Sequence, residues 1–343
     1  MKTFYDFSKL LSYNAVYNFA VGGRGIGKTY GAKKKVTRDA IKSSIENGDQ
    51  FIYLRRYKKE LQVSRDTFFA DYAHEFPDYD FRIHSYFAQA APVSTRDDKK
   101  REWFTIGYFI ALSVAQSYKS VAFPRVKIII YDEFIIEKGA IHYLPDEATV
   151  FNNFFSTVDR YKDKTRVFFL ANSVMITNPY FIEYDIDPNK CDKNGIIKLF
   201  DGFILVHIID SEQFSNEVYE TRFGKFIRGT DYGNYAVGNE FVDNNDLLLA
   251  DKPSSAVYTL TLETHGATFS IWYDASESLY YCDLKRPGNE IIFTMVPERM
   301  GEDKTLVTFS DKSISRLRTA YRHGKMRFKK PAIRNAFMET FKR

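Results

Sequence analysis

Continuous apolar segments recur along the first two thirds of the chain and alternate with amphipathic or polar stretches. Such runs, rich in β-branched and aromatic residues, are typical of parallel strands that are covered on both faces. Helices are predicted between several of them, over 29–46, 64–77 and 145–158. The predicted strands cover 17–21, 51–55, 126–134, 166–172 and 202–209. Strands separated by helices predict an α/β, doubly wound sheet that binds its ligand at the carboxyl ends of the strands.

The pattern changes after about residue 210. A glycine-rich polar and aromatic stretch at 222–241 predicts a small linker or lid. From about residue 246 the apolar positions alternate with period 2 and predict a β-meander, followed by two basic amphipathic helices at 311–323 and 331–342. We therefore expect three parts, listed here by residue: 1–209, the α/β domain; 210–245, a linker or lid subdomain; and 246–343, a C-terminal domain.

The first predicted strand leads into a glycine-rich loop with the spacing G-x-x-x-x-G-K-[ST]. Glycines let the backbone approach phosphates closely, and a helix that starts at the lysine offers free N–H groups. The lysine can reach the β- and γ-phosphates, and the threonine hydroxyl can bind Mg²⁺. The predicted nucleotide-binding residues are Gly22, Gly23, Arg24, Gly25, Ile26, Gly27, Lys28 and Thr29.

Asp132 and Glu133 end the apolar strand that lies about a hundred residues after the loop. A carboxylate there can hold Mg²⁺ through its water shell, and the adjacent glutamate can act as general base towards the attacking water. This pair predicts ATP hydrolysis with Mg²⁺ and favours an additional-strand motor ATPase over a small-molecule kinase. Asn172, at the end of the next strand, is expected beside the γ-phosphate, with strand capping as the alternative interpretation.

Hydrolysis also needs a cation on the transferred phosphoryl group, which a neighbouring subunit often supplies. Arg160 follows a predicted helix and can project from a subunit edge, whereas Arg166 begins a buried strand. A solvated charge run is an equally strong interpretation of this segment. Lys119 and the cluster of Arg55, Arg56 and Lys58 are further candidates, although each alone is better interpreted as a surface charge.

Charge is distributed unevenly over the 343 residues. Residues 312–343 carry eleven Lys or Arg against one acid, whereas the whole chain has a net charge of +5. A basic end favours a polyanionic partner, and a solvated helix pair is the alternative. Two distant cysteines and the absence of any apolar run of membrane-spanning length, or of an apolar signal-peptide core, predict a soluble intracellular protein without a membrane partner.

Several of these segments together resemble one family, the DNA-packaging ATPases of phi29-like bacteriophages. They are GGRGIGKT, FIYLRRYKKEL, IIIYDEF, FFLANS followed by NPYF, and TRFGKFIRGTDYG. The resemblance implies a homomeric ring, expected to be a pentamer, which pushes double-stranded DNA into a procapsid at its portal vertex in the host cytoplasm. DNA would be held through its phosphates. Some relatives use a packaging RNA, which these residues do not imply.

The resemblance also implies residue roles. Lys28, Thr29, Asp132 and Glu133 form the site within one subunit, together with Asn172 as γ-phosphate sensor. A second set supplies cations: Arg160 acts in trans as an arginine finger, Lys58 is a second trans-acting cation, and Lys119 contacts phosphate in cis. The C-terminal domain would be RNase H-like and inactive as a nuclease, since Glu263, Asp274 and Asp283 form no evident carboxylate cluster.

Three other functions remain open at the level of sequence. A terminase-like motor could retain nuclease activity, and a nucleotide-stabilised structural component of the portal could bind ATP without turnover. A helicase is disfavoured because no second RecA-like domain is recognisable.

Overall fold

The computed structural model describes residues 5–136, 143–144, 146–172, 178–209, 212–230 and 248–341. The chain divides into two compact units. The first unit contains the described parts of 1–137, 149–174 and 189–240, and the second contains those of 138–148, 175–188 and 241–343.

The apolar segments of the first unit form one sheet, which has nine strands among the described residues. They are β1 (Tyr17–Gly22), β2 (Gln50–Arg55), β3 (Tyr79–His84), β4 (Phe87–Pro92), β5 (Phe104–Ala111), β6 (Val126–Asp132), β7 (Arg166–Asn172), β8 (Ile196–Leu199) and β9 (Ile204–Ile208). Their order across the sheet is β3-β4-β5-β2-β6-β7-β1-β9-β8.

Six neighbouring strands, from β5 to β9 in that order, run parallel. Strands β3, β4 and β8 pair antiparallel at the two margins. The carboxyl ends of β1, β2, β6 and β7 therefore lie along one edge of the sheet, with β7 between β1 and β6. This arrangement confirms the predicted α/β sheet and its additional strand.

Helices cover both faces of the parallel strands. Val36 and Ala40 belong to one apolar cluster with Tyr53, Ile130 and Leu170. On the other face the ring of Phe151 lies 4.7 Å from that of Phe169. The α-helices before residue 230 are α1 (Phe7–Leu11), α2 (Lys28–Ser43), α3 (Lys58–Asp66), α4 (Glu147–Asp159), α5 (Pro179–Glu183), α6 (Glu212–Glu220) and α7 (Arg222–Ile227).

The predicted helix over 64–77 is wrong in position. The α-helix begins earlier, at Lys58, because the Glu60 carboxylate accepts the backbone N–H of Tyr57 at 2.9 Å and so satisfies a free donor at the helix start. Only a 3₁₀ turn, Ala73–Glu75, forms near its predicted end. The other 3₁₀ segments before residue 230 are Val93–Thr95, Leu112–Tyr118, Pro188–Lys190 and Phe200–Gly202.

The second unit holds a sheet of six strands among its described residues, in the order β14-β13-β10-β11-β12-β15. They are β10 (Val257–Glu263), β11 (Thr268–Asp274), β12 (Leu279–Asp283), β13 (Ile292–Thr294), β14 (Lys304–Leu306) and β15 (Met326–Phe328). The predicted meander is correct for β10, β11 and β12 and wrong for β13, which pairs parallel with β10. Alternation identifies strands but carries no information about which strand lies beside which.

The chain ends in α8 (Lys312–Arg322) and α9 (Pro331–Phe341). Helix α8 is basic and amphipathic, as predicted, since it buries Ile314, Leu317 and Ala320. Helix α9 was expected to be a second basic surface helix and is instead a core helix. Its residues from Ala332 to Phe337 are all buried, because β15 and α5 both pack against it.

The linker or lid prediction covers 210–245. Its described part consists of α6 and α7, and residues 231–245 lie outside the described residues. A search of the described helices found none that combines the length and apolarity needed to cross a bilayer.

Candidate functional site

The phosphate loop lies between the end of β1 at Gly22 and the start of α2 at Lys28. Gly25 and Gly27 have φ values of 86° and 78°, in the left-handed region that glycine adopts without strain. A Cβ on Gly22 would lie 2.8 Å from the Cβ of Ile209, so this position needs glycine for space. The loop therefore has the close backbone and the open helix start that bind phosphate.

Lys28 turns its amino group back into this loop. Its Nζ donates to the carbonyl oxygens of Gly22 at 2.9 Å and Gly23 at 2.8 Å. Burial disfavours the charged amine and lowers the pKa of Lys28 to about 8, although the nearby charge of Asp132 opposes this shift. The amine is thus held where it can exchange carbonyl partners for phosphate oxygens.

Asp132 ends β6 with both carboxylate oxygens engaged. Oδ1 accepts from the hydroxyl of Thr29 at 3.0 Å, and Oδ2 accepts from the hydroxyl of Tyr53 at 2.7 Å. A buried carboxylate and a hydroxyl in contact are hard oxygen donors of the kind that Mg²⁺ binds beside a nucleotide. The residues present therefore fit a magnesium nucleotide.

Tyr53 was not identified from the sequence. It lies in the middle of β2 and is 1% exposed, so its hydroxyl needs a buried partner. The indication was the presence of one tyrosine among the apolar residues Phe51, Ile52 and Leu54 of the strand. Which group it would meet could not be predicted without the strand order, which places β2 beside β6.

Glu133 follows β6 and has a left-handed backbone, with φ of 57°. Its Oε2 accepts from Nη2 of Arg55 at 2.5 Å, while Nη1 of Arg55 lies 3.6 Å from Oδ2 of Asp132. Arg56 donates to the carbonyl oxygens of Glu133 at 3.3 Å and Phe134 at 2.7 Å. These contacts fix the backbone at Glu133, the candidate general base.

The interpretation of Arg55 and Arg56 as surface charges is therefore wrong. Their exposed fractions are 7% and 2%. They are buried because β2 pairs with β6, so that the residues at the end of β2 meet the acidic pair. Each of the two guanidinium groups has hydrogen-bond acceptors that compensate for its lost hydration.

Asn172 is the last residue of β7 and lies in register with Gly22 of β1. Its Oδ1 accepts from Nζ of Lys28 at 3.4 Å. The strand order thus brings Asn172 to the loop, as its position in the sequence suggested. Lys28, Thr29, Asp132 and Asn172 form one connected site.

Arg160 lies at the opposite edge of the sheet. It precedes β7 at its amino end, whereas Asn172 and the phosphate loop lie at the carboxyl ends. Seven strand residues at roughly 3.3 Å each separate the two edges by about 20 Å, which is beyond the reach of one arginine side chain. Arg160 is exposed, and its guanidinium donates a long hydrogen bond of 3.4 Å to the carbonyl of Val121.

Arg166, the other candidate, is held within its own subunit. Its guanidinium donates to Asp163 Oδ1 at 3.0 Å and to Asn14 Oδ1 at 3.1 Å. Lys58 and Lys119 are exposed, and in the described part of the chain neither bonds to Lys28, Thr29 or Asp132. Lys58 begins α3, at the same sheet edge as the phosphate loop.

The carboxylates of the second unit have partners of their own. Glu263 pairs with Lys304 at 3.1 Å and Arg299 at 3.8 Å, and Asp283 pairs with Lys329 at 3.4 Å. Both oxygens of the buried Asp274 accept from the hydroxyl of Ser276. Within the described residues, no group of three or more His, Cys, Asp or Glu side chains is placed to hold a metal.

Comparison with known proteins places these features in context. The model of one family, the podovirus DNA encapsidation protein (Gp16), matches residues 1–343. The DNA packaging protein of Bacillus phage phi29 is 33% identical over 347 aligned residues, which cover 99% of this chain and 97% of that protein.

Solved structures agree with this match. A chain of the bacteriophage phi29 viral genome packaging motor assembly superposes with a TM-score of 0.66 at 33% identity, covering 99% of this chain and 98% of that one. The N-terminal domain of the DNA packaging ATPase from bacteriophage phi29 has a TM-score of 0.51 at 37% identity, covering 62% of this chain and 98% of that one.

Proposed function

This chain belongs to the podovirus DNA encapsidation protein (Gp16) family, and we propose that it is an ATP-driven motor that moves double-stranded DNA into a viral procapsid. The phi29 relatives, a DNA packaging protein and a chain of a packaging motor assembly, support this function. The observation that carries the proposal is the contact between Thr29 and Asp132 beside the amino group of Lys28. A lysine amine, a hydroxyl and a carboxylate that converge on a glycine-rich loop are the groups that bind a nucleotide and its metal.

Binding follows from the geometry of the loop. Lys28 leaves the carbonyls of Gly22 and Gly23 and bonds the β- and γ-phosphates, while the N–H groups of the loop and of the start of α2 surround them. Thr29 and Asp132 would hold Mg²⁺. When bound, the ion neutralises charge that develops on the phosphate oxygens.

The remaining residues of the site act in the hydrolysis step. Glu133 turns away from Arg55 and accepts a proton from the attacking water, because a carboxylate bound to a guanidinium is a poor base. Asn172 orients the γ-phosphate beside Lys28. Arg160 of a second subunit supplies a further positive charge to the transferred phosphoryl group.

The assembly is a homomeric ring, which we propose to be a pentamer at the portal of a procapsid in the host cytoplasm. DNA contacts are to phosphates, since a packaging motor must accept every sequence. Lys58, exposed at the nucleotide edge, serves as a second interface cation, and Lys119 contacts phosphate within its own subunit. Residues 1–209, 210–245 and 246–343 act as motor, lid and an RNase H-like domain.

The nuclease alternative is not supported by the second unit. A two-metal nuclease needs carboxylates that are free to bind cations, whereas Glu263 and Asp283 are neutralised by Lys304 and Lys329. We infer that these carboxylates stabilise the fold. A plasmid-nicking assay with Mn²⁺ tests this inference, and nicking that is lost in Glu263→Gln would overturn it.

The principal test compares two lysines on α2. Lys28→Ala should abolish both phosphate release and packaging, measured as DNA protected from DNase inside procapsids. Lys35→Ala is the matched control, because Lys35 forms a surface pair with Asp39 and should behave as wild type. Glu133→Gln should bind ATP without turnover. Packaging sustained by a non-hydrolysable ATP analogue would instead favour a structural component of the portal.

A further inference from the structure

The segment that carries Arg160 is shaped by one buried carboxylate. Asp159, the last residue of α4, is 3% exposed and accepts four consecutive backbone N–H groups. The donors are Lys162 at 2.9 Å, Asp163 at 3.0 Å, Lys164 at 2.9 Å and Thr165 at 2.9 Å. We call residues 159–165 the Asp159 turn.

The Asp159 turn is also tied to the chain beside it. Nζ of Lys164 donates to the carbonyls of Phe123 at 2.9 Å and Pro124 at 3.1 Å, and the hydroxyl of Thr165 donates to the carbonyl of Val126 at 3.2 Å. The carboxyl end of the turn is therefore anchored to the segment that leads into β6. The tip of the turn is free to face outward.

The backbone of the tip is unusual. Arg160, Tyr161 and Asp163 have φ values of 53°, 55° and 50°, a region that residues with a side chain rarely adopt. Such conformations persist where surrounding contacts compensate for the backbone strain, and they cluster at functional sites. Tyr161 is 92% exposed, so the tip is held in this shape without being packed into its own subunit.

We infer that Asp159 is a positioning residue, which preforms the turn so that Arg160 enters the nucleotide site of a second copy of this chain in the correct orientation. This inference rests on the proposed function, since it assigns Arg160 to the neighbour's site. Arg160 cannot serve its own site, because the two lie at opposite ends of the parallel strands. A flexible arginine would lose much of its effect, since misplacement by about 1 Å can cost roughly 100-fold in rate.

The state of the carboxylate agrees with this role. Burial opposes its ionisation, but the four backbone N–H groups more than offset that effect and hold the pKa of Asp159 below its ordinary value. The carboxylate is therefore ionised at neutral pH and can accept all four hydrogen bonds.

A matched pair at Lys162 tests the turn without removing a buried group. Lys162 is exposed, and its backbone N–H is one of the four donors. Lys162→Ala removes only the side chain, and assembled hydrolysis should stay at the wild-type level. Lys162→Pro removes the same side chain and the N–H as well, and it drives Tyr161 towards an extended backbone. Its kcat in the assembled motor should fall at least about tenfold, with nucleotide affinity of the subunit unchanged.

Asp159→Asn tests the carboxylate itself with nearly the same shape. The amide presents a donor where two N–H groups need an acceptor, so the turn should loosen. Assembled hydrolysis should again fall at least about tenfold. When these subunits are mixed with Lys28→Ala subunits, which have an intact turn, activity should recover to the level that Arg160→Ala reaches in the same mixture.

Two results would overturn the inference even if Arg160 is the catalytic cation. One is loss of nucleotide binding by Asp159→Asn and Lys162→Pro subunits, which would make the turn a support of its own fold. The other is full assembled activity in both variants while Arg160→Ala is inactive, which would leave the proposed function intact. If Arg160→Ala itself is fully active, the assignment of Arg160 fails and this inference fails with it.

Discussion

At the scale of single residues, Lys28 shows how the protein without nucleotide holds an amine that is to bind phosphate. Its amine is buried, yet it is bonded to two carbonyl oxygens that carry only partial charge. Burial therefore dominates, and the pKa falls to about 8. Phosphate offers full negative charge at the same place, so binding should return the pKa of Lys28 towards higher values.

This difference predicts a pH dependence of nucleotide affinity. Below pH 8 the free protein already carries a protonated Lys28, and this group adds no pH dependence. Above pH 8 the free amine is neutral and binding must take up a proton, so the Kd should rise by up to about tenfold per pH unit. Titration with a fluorescent ADP analogue at fixed Mg²⁺ and ionic strength measures this slope.

Lys35→Ala should show the wild-type slope. Lys28→Arg should show a flat profile, because a guanidinium stays charged throughout this range. A wild-type Kd that is constant from pH 8 to about 9.5 would contradict the lowered pKa of Lys28.

At the scale of elements, β2 contributes more to the site than its apolar sequence suggested. Residues two apart on a strand lie on the same face, and so Tyr53 and Arg55 both reach Asp132 from β2. Thr29 reaches the same carboxylate from α2. One strand and one helix together fix the orientation of the group that we assign to Mg²⁺.

Tyr53→Phe should therefore weaken the metal without disrupting the fold. Removing the hydroxyl takes one hydrogen bond from Oδ2 of Asp132, and loss of such outer partners typically costs about 10-fold or more in metal affinity. The Mg²⁺ concentration that half-saturates fluorescent nucleotide binding should rise accordingly, while stability falls by about 1 kcal/mol. Tyr72→Phe is the control, since its buried hydroxyl contacts Thr37 instead. Identical Mg²⁺ titrations for the two variants would exclude the role of Tyr53.

The sequence predicted elements and site residues where a local pattern carries the information. The phosphate loop and the strand ending in Asp132 both occur where their residues indicated. Sequence patterns gave wrong predictions where neighbouring elements decide whether a residue is exposed or buried. Arg55 and Arg56 resemble surface cations until β2 is placed beside β6, and α9 resembles a basic helix until β15 and α5 cover it.

At the scale of the whole molecule, the parallel sheet separates two parts of one reaction. The site with Lys28 and Asp132 lies at the carboxyl edge of the strands, and Arg160 lies about 20 Å away at the amino edge. Arg160 therefore cannot reach the nucleotide site of its own subunit. Under the proposed function, assembly of identical subunits brings Arg160 of one subunit to the nucleotide site of another.

Specific ATPase activity should consequently rise with subunit concentration and on addition of DNA and procapsids. Arg160→Ala should bind nucleotide normally yet remain at the low activity of the isolated subunit, because an arginine finger can contribute about 10³-fold or more. Lys162→Ala also removes an exposed cation from the same turn, and its specific ATPase activity should still rise on assembly. Phosphate release measured against concentration, with assembly followed by sedimentation, distinguishes these cases. If wild-type activity per subunit stayed constant while rings formed, the catalytic cation would have to come from within the subunit. The distance between Arg160 and the nucleotide site would then not make ATP hydrolysis depend on assembly.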